Sequence, residues 1–153
     1  MHHRPFHYYM TVCLLLLATV SAHSAGKLQE CRNAVKNEKY QVAISVCQSV
    51  AETLDDDESK AEAHILAGDA FSAIGKTLQA MRSYKEAVDA DEDNQKGLVE
   101  LAESAFKLGD FSQTKSAGKR VTAKDKKKSI LTKCKFSCLL ESKAQKLMHK
   151  KQY

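Results

Sequence analysis

Cysteine has the widest chemical choice of any side chain in this 153-residue sequence: disulfide, metal thiolate or nucleophile. Five are present, at Cys13, Cys31, Cys47, Cys134 and Cys138. A zinc site needs two ligand pairs, and Cys134 and Cys138, one helical turn apart, have no second pair at a suitable distance. A catalytic thiol needs a base. Beyond residue 24 the only histidines are His64 and His149, and neither completes a nucleophile–base pattern. No glycine-rich phosphate loop and no paired-carboxylate site is present. The acidic clusters Asp55–Glu58 and Asp91–Asp93 lack the alternating ligands and central glycine of an EF-hand loop, so they read as solvated turns. The expectation is a protein with no catalytic residues, no metal and no cofactor, and not an enzyme. That leaves the disulfide.

The N-terminus indicates where a disulfide would form. Arg4 precedes an apolar run, Thr11–Val20, and small residues follow, the pattern of a secretory signal peptide cleaved after Ala22 or after Ser24. The run falls short of the roughly 20 residues a membrane span requires, and no later segment is apolar enough to cross a bilayer. Cys13 would leave with residues 1–24, and four cysteines in an oxidising compartment favour pairing. Three pairings are possible. Cys31 and Cys47 stand about equally far on either side of a bend at Asn37–Lys39, so two antiparallel helices would bring their Cβ atoms together. Cys134 and Cys138 are i, i+4 on one helix, at the long end of the separation a disulfide accepts, which leaves both the thiol and the disulfide state open.

The elements that position these residues are helical throughout. Leu28, Cys31, Ala34 and Val35 stripe a first helix, and after a turn at Lys36–Lys39 the residues Val42, Ala43, Val46, Cys47, Val50 and Leu54 stripe a second. The linker Asp55–Ser59 offers Ser59 or Asp57 as the cap of a third helix. Its inner face is Ala63, Leu66, Ala67, Ala70, Phe71 and Ile74, and Gly75 closes it. A fifth helix reaches about Leu108, and its Leu98, Leu101, Ala102, Ala105 and Phe106 are expected to cap the second hairpin over Ala80, Tyr84 and Ala87. Gly109 and Asp110 then break the pattern. Phe111–Val121 reads as a polar loop, and Thr122 or Asp125 opens a Lys-rich helix running to about Met148.

Over Ala61–Asn94 this arrangement resembles the tetratricopeptide repeat, a helical hairpin of about 34 residues. Gly68, Phe71, Ala80, Tyr84 and Ala87 fall at its marker positions, where a small residue on one helix lets an aromatic of the other approach. His64 stands where Trp is usual and Glu92 where Pro is usual. The first hairpin aligns as a second copy, Ala43 on Ala80 and Cys47 on Tyr84. The implied fold is all-α, a short tetratricopeptide-like helical hairpin array with a capping helix and a basic helical tail.

Cys31–Cys47, CRNAVKNEKYQVAISVC, narrows the resemblance. It is similar to the last repeat of the DnaJ homologue subfamily C member three family, endoplasmic-reticulum-lumenal co-chaperones that carry tetratricopeptide repeats ahead of a J domain. The two cysteines, Lys36, Glu38-Lys39 and Ala43-Ile44 carry the likeness, and in that family the two cysteines are disulfide-bonded. The Asp91–Ser104 run resembles the stretch leading to the family's J domain. Gly118–Lys133 resembles a degenerate J-domain start, through Asp125, Lys127 and Lys128. A J domain acts through a His-Pro-Asp tripeptide, and the sole proline here is Pro5. The family's N-terminal, substrate-binding repeats have no counterpart in this sequence.

Charge divides the chain. Residues 25–106 carry 9 Lys/Arg against 16 Asp/Glu, and residues 107–153 carry 14 against 3. Behind a signal peptide such a tail is not expected to meet nucleic acid; it suits an acidic protein surface or anionic headgroups. The domain expectation is a signal peptide over 1–24, two repeats plus a capping helix over 25–108, and a basic, partly disordered J-like tail over 109–153. The functional expectation is a lumenal interaction module of the secretory pathway, a shortened co-chaperone relative acting in protein folding or the unfolded-protein response. Its partners would be proteins, either misfolded polypeptides or a lumenal Hsp70 held weakly by charge through Lys124, Lys126, Lys127, Lys128 and Lys133, with no stable membrane anchoring. The alternative is a small secreted, disulfide-bonded helical carrier of an apolar ligand. Grips for chaperone C-terminal carboxylates place Lys and Asn on the first helices of such repeats. The equivalent positions here are Leu28, Arg32, Leu66 and Asp69, and only Arg32 suits that use.

Overall fold

A computed structural model describes residues 26–124, 126–135 and 137. The signal segment 1–24, Asp125, Cys138, His149 and the helical reading as far as Met148 lie outside the described residues. Seven helices are present among them: α1 over residues 26–36, α2 Tyr40–Ala51, α3 Asp57–Ala73, α4 Thr77–Ala90, α5 Gln95–Lys107, α6 Phe111–Arg120 and α7 over residues 126–135. No described helix is long and apolar enough to cross a membrane.

Each hairpin turns in the same way. Glu38, Gly75 and Gly109 have φ of 58°, 77° and 76°. The next residue donates its N–H back five positions, Lys39 to Ala34, Lys76 to Phe71 and Asp110 to Ala105, at 2.9 Å each time. This is the Schellman closure, in which a left-handed residue lets the chain reverse and satisfies a carbonyl at the helix end. The connections between hairpins use side-chain caps instead. Asp56 accepts from the Ser59 N–H and Asn94 from the Gly97 N–H. The cap of α3 is therefore Asp56, one residue before Asp57, whose carboxylate stands with Glu58 in the first helical turn beside the positive end of the dipole.

The array is three hairpins and a seventh helix, and this corrects the sequence reading at its C-terminal end. Phe111–Val121 is not a loop: α6 occupies Phe111–Arg120, capped by Asp110 at the Gln113 N–H. Its face is small and polar by type yet buried, with Thr114, Ala117 and Gly118 inside and Val121 just beyond. Thr114 makes burial tolerable by donating its hydroxyl to the Asp110 carbonyl at 2.7 Å. α5 packs on α4, where Leu98 and Leu101 share one core with Ala80, Tyr84 and Ala87, but it is not the end of the array. It is the first helix of a third hairpin, with α4 on one side and α6 on the other.

The helices pack as nearest neighbours, α2 on α3, α3 on α4, α4 on α5 and α5 on α6. α3 is covered on two sides, which explains why Ala61, Ala63, Ile65, Ala67, Gly68, Ala70 and Phe71 are all buried. Small residues dominate that set because two helices must approach the same axis. The main cluster joins Ile65, Phe71, Tyr84, Val88, Leu98, Leu101, Val121 and Ile130, so it extends from α3 to α7. Each fully buried large side chain contributes about 1.5–3 kcal/mol.

Candidate functional site

One position recurs through the array and is filled in three ways. On the first helix of each hairpin it is Cys31, Gly68 or Ala102, and on the second helix, sixteen residues later, Cys47, Tyr84 or Gly118. In the first hairpin the pair is a disulfide, with Cα atoms 5.1 Å apart and both residues fully buried. In the second, a Cβ built on Gly68 would lie 2.5 Å from Tyr84 Cε1, so the ring rests directly on the glycine. In the third, Ala102 and Gly118 leave room, and Ile130 of α7 takes it: a Cβ on Gly118 would meet Ile130 Cγ2 at 2.9 Å. Ala80, Phe71 and Ala87 are buried in the same core.

The first helices of the hairpins, α1, α3 and α5, are linked side by side by polar contacts, and their common face is the candidate site. Arg32 of α1 donates from Nε and Nη2 to the two carboxylate oxygens of Glu62 on α3, both at 2.6 Å. That fork raises the guanidinium above its ordinary range and holds Glu62 below the usual carboxylate range. Further along, Asp69 of α3 accepts from the Tyr84 hydroxyl at 2.9 Å and from Lys96 Nζ of α5 at 2.8 Å. Burial, then the Asp69 charge, pushes the Tyr84 hydroxyl far upward, so it remains a donor.

Glu100 follows on α5. Burial, with repulsion from Asp69 and Glu103, raises its carboxyl, while Lys96 and Lys126 pull the other way. No side-chain hydrogen bond reaches it among the described residues. It is a half-buried carboxyl with no ion pair within 4 Å among the described residues, in the field of Lys96 and Lys126. Sequence reasoning missed Glu100, because its exposure depends on the third hairpin. Arg32, the one position suited to gripping a carboxylate, is already committed to Glu62, and Asp69 would repel one.

His64 stands on α3, where an aromatic was expected. Its Nδ1 is buried and lies 3.2 Å from Glu86 Oε2, but off the line needed for a hydrogen bond. The contact is charge proximity alone. Burial lowers its titration; Glu86 opposes this and Lys60 adds to it.

The predicted partner-contact lysines lie on and before α7. Lys124, Lys126, Lys128 and Lys133 are exposed and Lys127 is partly covered. No salt bridge involves them among the described residues. Among the described residues of 118–133, α6 ends at Arg120 and α7 runs from residue 126; Thr122 between them donates from its N–H and hydroxyl to Gln95 Oε1. Cys134 is buried, its thiol 3.6 Å from the Phe111 carbonyl. No cluster of His, Cys, Asp or Glu able to hold a metal ion occurs among the described residues.

No family model matches this chain, and no curated protein does either. Its fold does have a counterpart among solved structures. The Hsp90 co-chaperone Cns1 from Saccharomyces cerevisiae (delta69) superposes with a TM-score of 0.70 at 12% sequence identity. The match covers 87% of this chain and 45% of the Cns1 chain, so this chain spans under half the length of that structure. The likeness shows the fold, an all-helical array of tetratricopeptide-like hairpins.

Proposed function

We propose that this chain is a protein-interaction module of the endoplasmic-reticulum lumen, a relative of the DnaJ homologue subfamily C member three co-chaperones. In this reading it acts in protein folding or the unfolded-protein response without stimulating Hsp70. The observation that carries the reading is the common face of α1, α3 and α5, a polar strip of paired side chains ending in the half-buried carboxyl of Glu100. Helical-hairpin arrays use such faces to hold extended segments of other proteins. Glu62, Asp69 and Glu100 outnumber Arg32 and Lys96 there, so the face suits a basic or mildly apolar segment. Carboxylate-terminated peptides fit it poorly. The fold it shares with an Hsp90 co-chaperone supports a chaperone-linked partner. The Cys31–Cys47 bridge supports an oxidising compartment.

The absent His-Pro-Asp tripeptide argues against J activity, because the basic helix could then act on a lumenal Hsp70 only as a tether or competitor. Two measurements test the proposal. Mild crosslinking in the lumen followed by co-purification should recover client or chaperone proteins, and secretion of the whole pool to the medium would count against residence there. A single-turnover ATPase assay with the lumenal Hsp70 should show no stimulation. Stimulation comparable to a true J domain, retained when Lys126–Lys128 are changed to Ala, would overturn that part.

A further inference from the structure

Where α7 crosses α5 the two helices do not close completely. A cleft of about 200 Å³ remains, lined by Ala102, Glu103, Phe106, Lys107, Ile130 and Lys133. Its floor is apolar, from Ala102, Phe106 and Ile130, with the Phe106 ring braced by Phe111 at a centroid distance of 6.0 Å. Its rim is charged. Lys107 and Lys133 stand at the edge, with Lys126 and Lys128 exposed on the same helix as Lys133. None of these four lysines makes a salt bridge among the described residues. Across 107–135 the described cations, Lys107, Lys115, Lys119, Arg120, Lys124, Lys126, Lys127, Lys128, Lys133 and Lys135, face one described acid, Asp110, which is already spent as the cap of α6.

We infer that this cleft docks an acidic protein segment that inserts one large apolar side chain against Phe106 and Ile130 and sets its carboxylates on Lys107 and Lys133. The volume favours a side chain over a free small molecule, whose pockets run from roughly 300 Å³ upward. An apolar anchor within a complementary charged rim is the usual form of a small peptide site. Glu103 sorts the possible occupants further. A carboxylate on the rim repels any anion set against it, but it can accept a backbone N–H, which every peptide residue except proline offers. The inference refines the charge-only contact proposed for the basic helix and rests on that reading, but it uses a different surface from the α1–α3–α5 face.

The test uses the full chain and two fluorescein-labelled twelve-residue peptides rich in Asp and Glu, identical except for Phe or Ala at the centre. The Phe peptide should bind at least ten-fold more tightly, and the ratio should persist from 50 to 300 mM salt while both affinities fall. Lys107→Ala with Lys133→Ala, both solvent-facing changes, should weaken both peptides and keep the unfolding midpoint unchanged. A photoreactive benzoyl-phenylalanine at the central position should crosslink to residues 102–107 and 130–133. Equal binding of the two peptides would overturn the cleft and leave charge contact alone. Crosslinks confined to other helices, or displacement of the Phe peptide by vesicles with anionic headgroups, would overturn it as well. A basic peptide that binds the α1–α3–α5 face without displacing the Phe peptide would show the two proposals to be separable.

Discussion

Gly68 and Glu38 show how much backbone geometry a single residue can determine. A methyl group on Gly68 would enter the Tyr84 ring, and the ring cannot retreat because its hydroxyl is held by Asp69 and its body is buried. Gly68→Ala should therefore destabilise by about 2 kcal/mol, the range of overpacked cores, as read by chemical denaturation. Glu38 has the opposite fault. It occupies the left-handed turn position held by glycine in the other two hairpins, at roughly 1 kcal/mol of steric cost. Glu38→Gly should raise stability by about 0.5–1 kcal/mol, and an unchanged or lowered midpoint would refute this account of the turn. His64 gives the array a pH dependence. Burial lowers its titration in the folded state, so folding favours the neutral ring. Its contribution is complete above the unfolded value near 6.5 and is lost as pH falls below it. Between pH 7.5 and 5.5 the native chain should lose stability relative to His64→Phe, and parallel curves for the two would exclude His64 as the cause.

At the scale of elements, legibility followed the apolar stripe. α2, α3 and α5 carry repeated apolar residues at helical spacing, and Gly68, Ala80 and Tyr84 by themselves set the register of the second hairpin. α6 was missed because its buried face is Thr114, Ala117 and Gly118, types that also populate loops. One signal was available: Gly109 follows Gly75 by 34 residues, and both reverse the chain in the same way. Glu100 and the α5–α7 cleft were not legible, since both depend on which helix lies beside α5. The disulfide was legible from its position around the bend. It closes a loop of sequence separation 16, for which chain entropy gives about 3 kcal/mol. Cys31→Ser should lower stability by about that amount, and free thiols at both positions in non-reducing peptide mapping would remove the claim altogether.

The whole molecule is a row of neighbours with its charge sorted along the row. The inter-hairpin edge carries Asp55–Glu58, then Asp91–Asp93, and then Arg120 and Lys124, with Arg120 donating to the Glu92 carbonyl where the two signs meet. Raised salt should therefore weaken the junction between the third hairpin and the second more than that between the second and the first. Amide exchange should report this as faster opening of 95–120 relative to 57–90 in 500 mM salt. Equal acceleration of both segments would mean that the sorted charge has no part in holding the row together.

The three fillings of the recurring slot differ in kind: a covalent bond, an aromatic ring on glycine, and an isoleucine borrowed from the following helix. In a linear array, opening starts where a neighbour is easiest to detach. The third slot depends on α7 staying in place, so melting should enter from that end and stop at the riveted first hairpin. A reductant removes the rivet without touching the other end. The same chain would then open from both ends at once, and a protein that loses its folded core in one direction would become one that loses it in two.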